Sequence, residues 1–223
     1  SDDFLDLNFI KYIKMFEKEY SEMQIDMIFT LPIIYDDLQK IFYDWHDVAL
    51  FDRIFMHNPY CIPAINPDLY ELEVSACRKL FSTEFLKRID FKFDENLKYE
   101  DFFPHFYTLS LARNCLGFRG TSFYYRVNRV GQITSLRNSA RLDIVKVLEK
   151  TYQYVASLND IRIMRSFLRQ SVVFTKWCIS NSTPEIRAEL VDKLSVFYAQ
   201  LPKHIVDEYC KLEGSRRNKL YIK

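Results

Sequence analysis

Lys98-Tyr99-Glu100-Asp101-Phe102-Phe103-Pro104-His105-Phe106 sets two adjacent carboxylates directly in front of an apolar run. Phe102, Phe106, Leu109 and Ala112 or Arg113 fall on neighbouring turns, which predicts a helix from Asp101 to about Asn114. Pro104 fits only in the first turn of such a helix, where its missing N–H costs nothing. Asp101 is then a favoured N-cap. A carboxylate at this place can also take the proton from an attacking hydroxyl, and Asp101 is the better candidate of the pair. The two roles are compatible. Adjacent carboxylates raise each other's pKa while a helix N-terminus lowers it, so the pattern alone does not fix the net shift.

Upstream of this stretch, Asp94-Glu95-Asn96 reads as a turn, and the alternation of Ile89, Phe91 and Phe93 predicts a strand. Ser82 can cap a short helix to about Arg88. Residues 46–74 carry Pro59, Pro63 and Pro67 and read mainly as loop with short strands. Asp36 to Trp45 is expected to be helical. Ile25 to Leu31 is expected to be a short buried strand ending at Pro32. Asn8 to about Glu22 has Phe9, Ile10, Ile13, Phe16 and Tyr20 at helical steps, with Asp6 as a plausible cap. Asp2 and Asp3 stand just ahead of that helix. Carboxylates there suit a helix N-terminus, and they also suit a hard cation such as Mg²⁺ or Mn²⁺.

Downstream, Cys115 to Val127 reads as extended chain ending in Phe123-Tyr124-Tyr125-Arg126. An arginine at a strand end can grip a diphosphate with its planar fork, or be an ordinary solvated cation. Lys79 carries the same two readings. Beyond Gly131 the character changes to helices. Leu142, Val145, Leu148, Tyr152 and Val155 mark one, residues 161–179 a well-buried second, Thr183-Pro184 starts a third, and Pro202 opens a last. The chain therefore divides into an α/β part, 1–137, and a helical appendage, 138–223.

Composition narrows the function. The formal net charge is +1, which gives no electrostatic reason to expect nucleic acid. Only 4 glycines occur, where average usage gives roughly 15, and no Gly-rich phosphate loop is present. The five cysteines, Cys61, Cys77, Cys115, Cys178 and Cys210, show no CxxC and read as free thiols of a reducing compartment. No apolar run reaches the ~18 residues of a membrane span. The end of the chain, Ser215 to Lys223, is basic and partly apolar, which suits a solvated tail or an anionic membrane surface.

Taken in order, Ser1-Asp2-Asp3-Phe4-Leu5, Arg78-Lys79-Leu80-Phe81, Phe93-Asp94-Glu95-Asn96-Leu97-Lys98-Tyr99-Glu100-Asp101, Tyr124-Tyr125-Arg126 and Gly131-Gln132-Ile133-Thr134-Ser135 resemble glycosyltransferase family 2, in particular bacterial enzymes that build surface glycans. The likeness covers residues 1 to about 137. It implies a partial GT-A fold, a Rossmann-like mixed sheet with flanking helices. It implies an inverting transfer from a nucleotide-diphosphate donor, such as a UDP-sugar, to a glycan or lipid-linked glycan acceptor of the polysaccharide, lipopolysaccharide or teichoic-acid kind. By resemblance Asp101 is the general base, Glu100 and Tyr99 contact the acceptor, Arg126 and Lys79 lie by the donor diphosphate, and Asp2 and Asp3 belong to a DxD site for Mg²⁺ or Mn²⁺. The first aspartate of that motif would precede Ser1, Cys77 stands where tryptophan is usual, Asn96 replaces glycine and Gln132 replaces serine. The chain alone is therefore expected to bind nucleotide sugar weakly or not at all. The C-terminal helices would serve peripheral membrane contact, at the cytoplasmic face, or homo-oligomerisation. The rival expectation is a non-catalytic degenerate transferase module or helical interaction scaffold.

Overall fold

Met27–Asp36 (β2) and Cys115–Val127 (β6) run parallel at the centre of a six-stranded mixed sheet, in the computed structural model that describes residues 3–95, 97–129 and 137–212. Phe4–Leu5 (β1) pairs antiparallel with β6, and Ile41–Asp44 (β3) pairs antiparallel with β2, in the order β1-β6-β2-β3. Tyr60–Cys61 (β4) adds to β6 and Lys79–Phe81 (β5) to β2, both antiparallel. The helices are α1 (Phe9–Glu19), α2 (Val48–Phe55), α3 (Thr83–Arg88), α4 (Phe102–Leu111), α5 (Asp143–Ser157), α6 (Ile161–Ser180), α7 (Pro184–Ala199) and α8 (Lys203–Leu212).

The chain forms two units. One, the sheet unit, comprises residues 1–92 and 108–134; the other, the helical unit, comprises 93–107 and 135–223. In the sheet unit, Phe9 and Ile13 of α1 bury against Ile28, Leu116 and Phe118 on one face of the sheet. Phe51 and Phe55 of α2 meet each other at 4.8 Å, and Phe55 meets Phe29 at 6.2 Å. Gly117 allows this approach, because a Cβ there would lie 2.2 Å from the Phe55 ring. In the helical unit, Phe102 and Phe106 from the start of α4 sit edge-on to Phe167 of α6 at 6.3 and 5.8 Å, and Phe102 meets Phe174 at 5.2 Å. Offset and edge-on rings of this kind add about 0.5–1.5 kcal/mol per pair to the apolar burial.

Several local expectations change. β2 runs through Pro32 to Asp36, and the register with β6 slips between Thr30 and Leu31 and again across Pro32, between Leu31 and Ile33. The proline has no N–H for the ladder, so the irregularity sits where the donor is missing. The segment 36–45 is a hairpin, not a helix. Asp36 Oδ1 accepts from the N–H groups of Leu38 and Gln39, each at 2.9 Å, and Lys40 takes a positive φ of 57°. That turn feeds the aromatic and β-branched run Ile41-Phe42-Tyr43 into a strand. Residues 48–55 are helical, a run that the prolines further along had masked. Ile89, Phe91 and Phe93 form no strand. Asn8, not Asp6, is the N-cap of α1; Asp6 accepts from the Asn8 N–H at 2.9 Å. Ser82 caps α3 as expected, accepting from Phe85 N, and Cys115–Val127 is one strand.

Candidate active site

Glu100 and Asp101 line an open groove of ≈ 680 Å³ in the helical unit, together with Asp94, Lys98, Asp143 and the exposed Phe93. The turn that aims them is unusual. Tyr99 has a φ of 63°, a left-handed conformation that a tyrosine adopts only when its surroundings impose it. Its carbonyl accepts from Phe102 N at 3.0 Å, and the Asp101 carbonyl accepts from His105 N at 3.1 Å. Asp101 is thus the residue at which the chain enters α4, and it lines the groove.

Tyr99 does not join its neighbours there. Its ring stands edge-on to Phe174 at 6.3 Å and to Trp177 at 6.5 Å, and its hydroxyl accepts from Arg141 Nη1 at 3.0 Å. Burial pushes its phenol pKa up, the Cys178 thiol adds to the rise, and Arg141 opposes it. Tyr99, which the motif expectation placed at the acceptor, has its ring and hydroxyl turned to α6 and Arg141. Asp94 is held by Lys150 through both oxygens, at 2.6 and 2.7 Å, and the Lys150 ammonium lies 4.1 Å from the centre of the Phe103 ring.

In the sheet unit, the β1–β6 pairing carries Asp3 alongside Arg126. Asp3 Oδ1 accepts from the Arg126 backbone N–H at 3.0 Å, and the Arg126 guanidinium pairs with Asp37 at 2.9 Å. Sequence reasoning brought Asp3 and Arg126 near one site, and the structure places them together. It missed Asp36 and Asp37, although their adjacency at a strand end is the same signal that marked Glu100 and Asp101. The carboxyl of Asp36 is held below the usual range, first by the Gln39 N–H, then by the Asn128 amide and the Leu38 N–H. Asp37 is lowered by Arg126 and then by Lys40.

Two other residues singled out in the sequence have partners within the fold. Lys79 is buried, and its ammonium donates to the carbonyls of Val74 at 2.5 Å and Ser75 at 3.0 Å. A buried ammonium needs such acceptors, and these make it a brace for the loop before β5. Asp3, expected at a metal site, has its Oδ1 turned to the Arg126 N–H. Asp2 and the 131–135 motif lie outside the described residues. Among the described residues no group of three or more His, Cys, Asp or Glu side chains is arranged to hold a metal ion. The five cysteines are free thiols, with Cys77 exposed and Cys61, Cys115 and Cys178 buried; burial raises the Cys61 pKa to about 11.

No family model and no curated protein sequence matches the chain. Solved structures do. Staphylococcus aureus TarS superposes with a TM-score of 0.63 at 17% identity over 92% of this chain and 33% of that one. A TarS fragment, 1–349, in complex with UDP-GlcNAc gives 0.62 at 15% identity, covering 92% of this chain and 56% of that one. The same fragment alone gives 0.63 at 16% identity, covering 100% and 66%. The chain thus spans less than two thirds of each of these structures. The fold is glycosyltransferase-like: a curled mixed sheet with flanking helices. Among the described residues, no helix is long and apolar enough to cross a membrane.

Proposed function

We propose that the chain supplies the acceptor-side part of a glycosyltransferase that moves a sugar from a nucleotide-diphosphate donor, a UDP-sugar, to a hydroxyl of a growing surface glycan. The observation that carries the reading is the Glu100-Asp101 pair at the entry to α4, facing a groove large enough for a sugar unit. Its support is the likeness of the fold to TarS, one structure of which holds UDP-GlcNAc.

In this reading Asp101 accepts the proton of the acceptor hydroxyl as its oxygen bonds to the anomeric carbon. The bond to the donor's diphosphate oxygen breaks on the opposite face, so the configuration inverts and the nucleotide diphosphate leaves. Glu100 lies beside it and accepts hydrogen bonds from acceptor hydroxyls. Arg126 offers a guanidinium to the leaving diphosphate, oriented by Asp37 and by the bond from its own N–H to Asp3. A divalent cation would shield the same charge when bound; Asp2 is the residue proposed for it, and no step above is routed through it.

The test is transfer by the full-length protein with Asp101→Asn. Asparagine caps a helix as well as aspartate does, so the substitution isolates the proton acceptor. Transfer should fall by about 10²–10⁴-fold with donor affinity unchanged in calorimetry. Transfer within threefold of wild type would remove Asp101 from this role.

A further inference from the structure

Arg141 and Asp143 stand forty or more residues from the Glu100-Asp101 turn, yet both reach it. Arg141 precedes α5 in a short 3-10 turn, Ser139–Leu142, and is buried at 4% exposure. Its Nη1 donates to the Tyr99 hydroxyl at 3.0 Å, and its guanidinium lies 4.1 Å from the centre of the Trp177 ring. Asp143, the first residue of α5, accepts from the Lys98 N–H at 3.3 Å and lines the groove beside Asp101. One residue thus holds the side chain of Tyr99, and the other holds the backbone one residue earlier. Between them lies the left-handed Tyr99, and directly after it come Glu100 and Asp101.

We infer that Arg141 and Asp143 form a clamp that fixes the strained Lys98-Tyr99 turn and so positions the Glu100 and Asp101 carboxylates in the groove. The catalytic side of this inference rests on the function proposed above; the mechanical side does not. A tyrosine at a positive φ returns to the common backbone regions unless its surroundings hold it. The phenol is the handle. It is seated edge-on between Phe174 and Trp177, and the hydrogen bond from Arg141 fixes how deep it sits. Arg141 suits the place because its planar fork can bond the phenol oxygen while its face stacks on an indole, which a lysine ammonium cannot do as well. Both are positioning residues: neither is assigned a bond to a reacting atom. A small shift of the turn would be felt strongly, since a displacement near 1 Å of a catalytic group can cost about 100-fold in rate.

The experiment uses the full-length protein with Arg141→Met, Arg141→Lys, Asp143→Ala and Asp143→Asn, with two readouts. Hydrogen–deuterium exchange of the segment 97–103 should quicken by about tenfold in Arg141→Met and Asp143→Ala, the loss of one net hydrogen bond, while the α6–α7 amides stay protected. Arg141→Lys and Asp143→Asn keep a donor and an acceptor and should restore most of the protection. In the transfer assay kcat should fall by about 10–100-fold in the two disruptive variants with donor KM unchanged, and recover in the conservative pair. Unchanged exchange in 97–103 would overturn the clamp. Faster exchange with unchanged kcat would overturn its part in catalysis. A protein that transfers no sugar would sink the functional reading and leave the exchange measurement to decide the clamp alone.

Discussion

Asp36-Asp37 closes β2 in the sheet unit, and Glu100-Asp101 opens α4 in the helical unit. In sequence the two pairs look alike: adjacent carboxylates at the junction of an extended and a turning segment. Their surroundings differ. Asp36 accepts from two backbone N–H groups and from Asn128, and Asp37 pairs with Arg126 and Lys40. Both are held below the ordinary carboxylate range by those contacts. Glu100 and Asp101 line a groove with two further carboxylates, Asp94 and Asp143. The same local motif serves as an internal fastener in one unit and borders an open groove in the other. What separates them is which cations and N–H groups the fold brings to each.

The sharpest break between the two turns is the loss of transfer expected for Asp101→Asn, with stability moved by less than about 1 kcal/mol because asparagine suits a helix start as well as aspartate does. The sheet unit should behave in the reverse way. Its carboxylates mainly hold structure, and the strongest case is Asp47. Its Oδ2 accepts from Arg78 Nη1 at 2.6 Å and from Glu73 N at 2.6 Å, and Arg78 has no exposed surface. Asp47→Ala leaves that guanidinium buried without its hydrogen-bonded carboxylate, so urea unfolding should show a loss of about 3–5 kcal/mol. A loss under 1 kcal/mol would mean that the carboxylates of this unit are not its fasteners. A smaller effect is expected without any charge. Gly117→Ala forces a Cβ into the Phe55 ring and should cost about 1–3 kcal/mol, read as a lowered Tm. If the variant is as stable as wild type, α2 is free to move off β6.

How much of this was open to reading follows from the range of the interactions. Caps and strands that depend on near neighbours were legible: Ser82 on α3, Thr183-Pro184 at the start of α7, and the long extended run of β6. The Glu100-Asp101 pair was legible because a helix start is a local event. Two features defeated local reading. The hairpin at 36–45 has a helix-like spacing of apolar residues, but Asp36 turns the chain through its own backbone and Ile41-Phe42-Tyr43 then pairs with β2. The roles of Tyr99 and Lys79 depend on residues that no spacing connects to them. Arg141 lies 42 residues after Tyr99, and it decides that the tyrosine points into α6. Lys79 looks like a surface cation until the loop carbonyls of Val74 and Ser75 close over it. Charged residues read from sequence alone therefore carry their chemistry but not their partners.

The smallest and most specific test concerns those partners at Asp37. Its pKa is depressed chiefly by the hydrogen bond from Arg126 and then by that from Lys40. A carboxylate with a folded pKa below its unfolded value, about 3.9, binds its proton more weakly in the native state. Its stabilising effect is complete above the unfolded pKa and is lost as pH falls through the folded one. Asp37→Asn removes the charge at every pH. The variant should therefore be less stable than wild type at pH 6, and the difference should shrink as the pH is lowered below about 4, where the wild-type carboxyl takes up its proton. Urea titrations at pH 6 and at successive steps toward pH 2 would follow this. The pair is partly exposed, so the whole effect should be screened by salt and fade at high ionic strength. A difference that persists unchanged into acid would place its origin in packing at the β2 turn. In that case Arg126 would not depend on Asp37 for its orientation, and the contrast between the fastening pair and the chemical pair would rest on Asp36 alone.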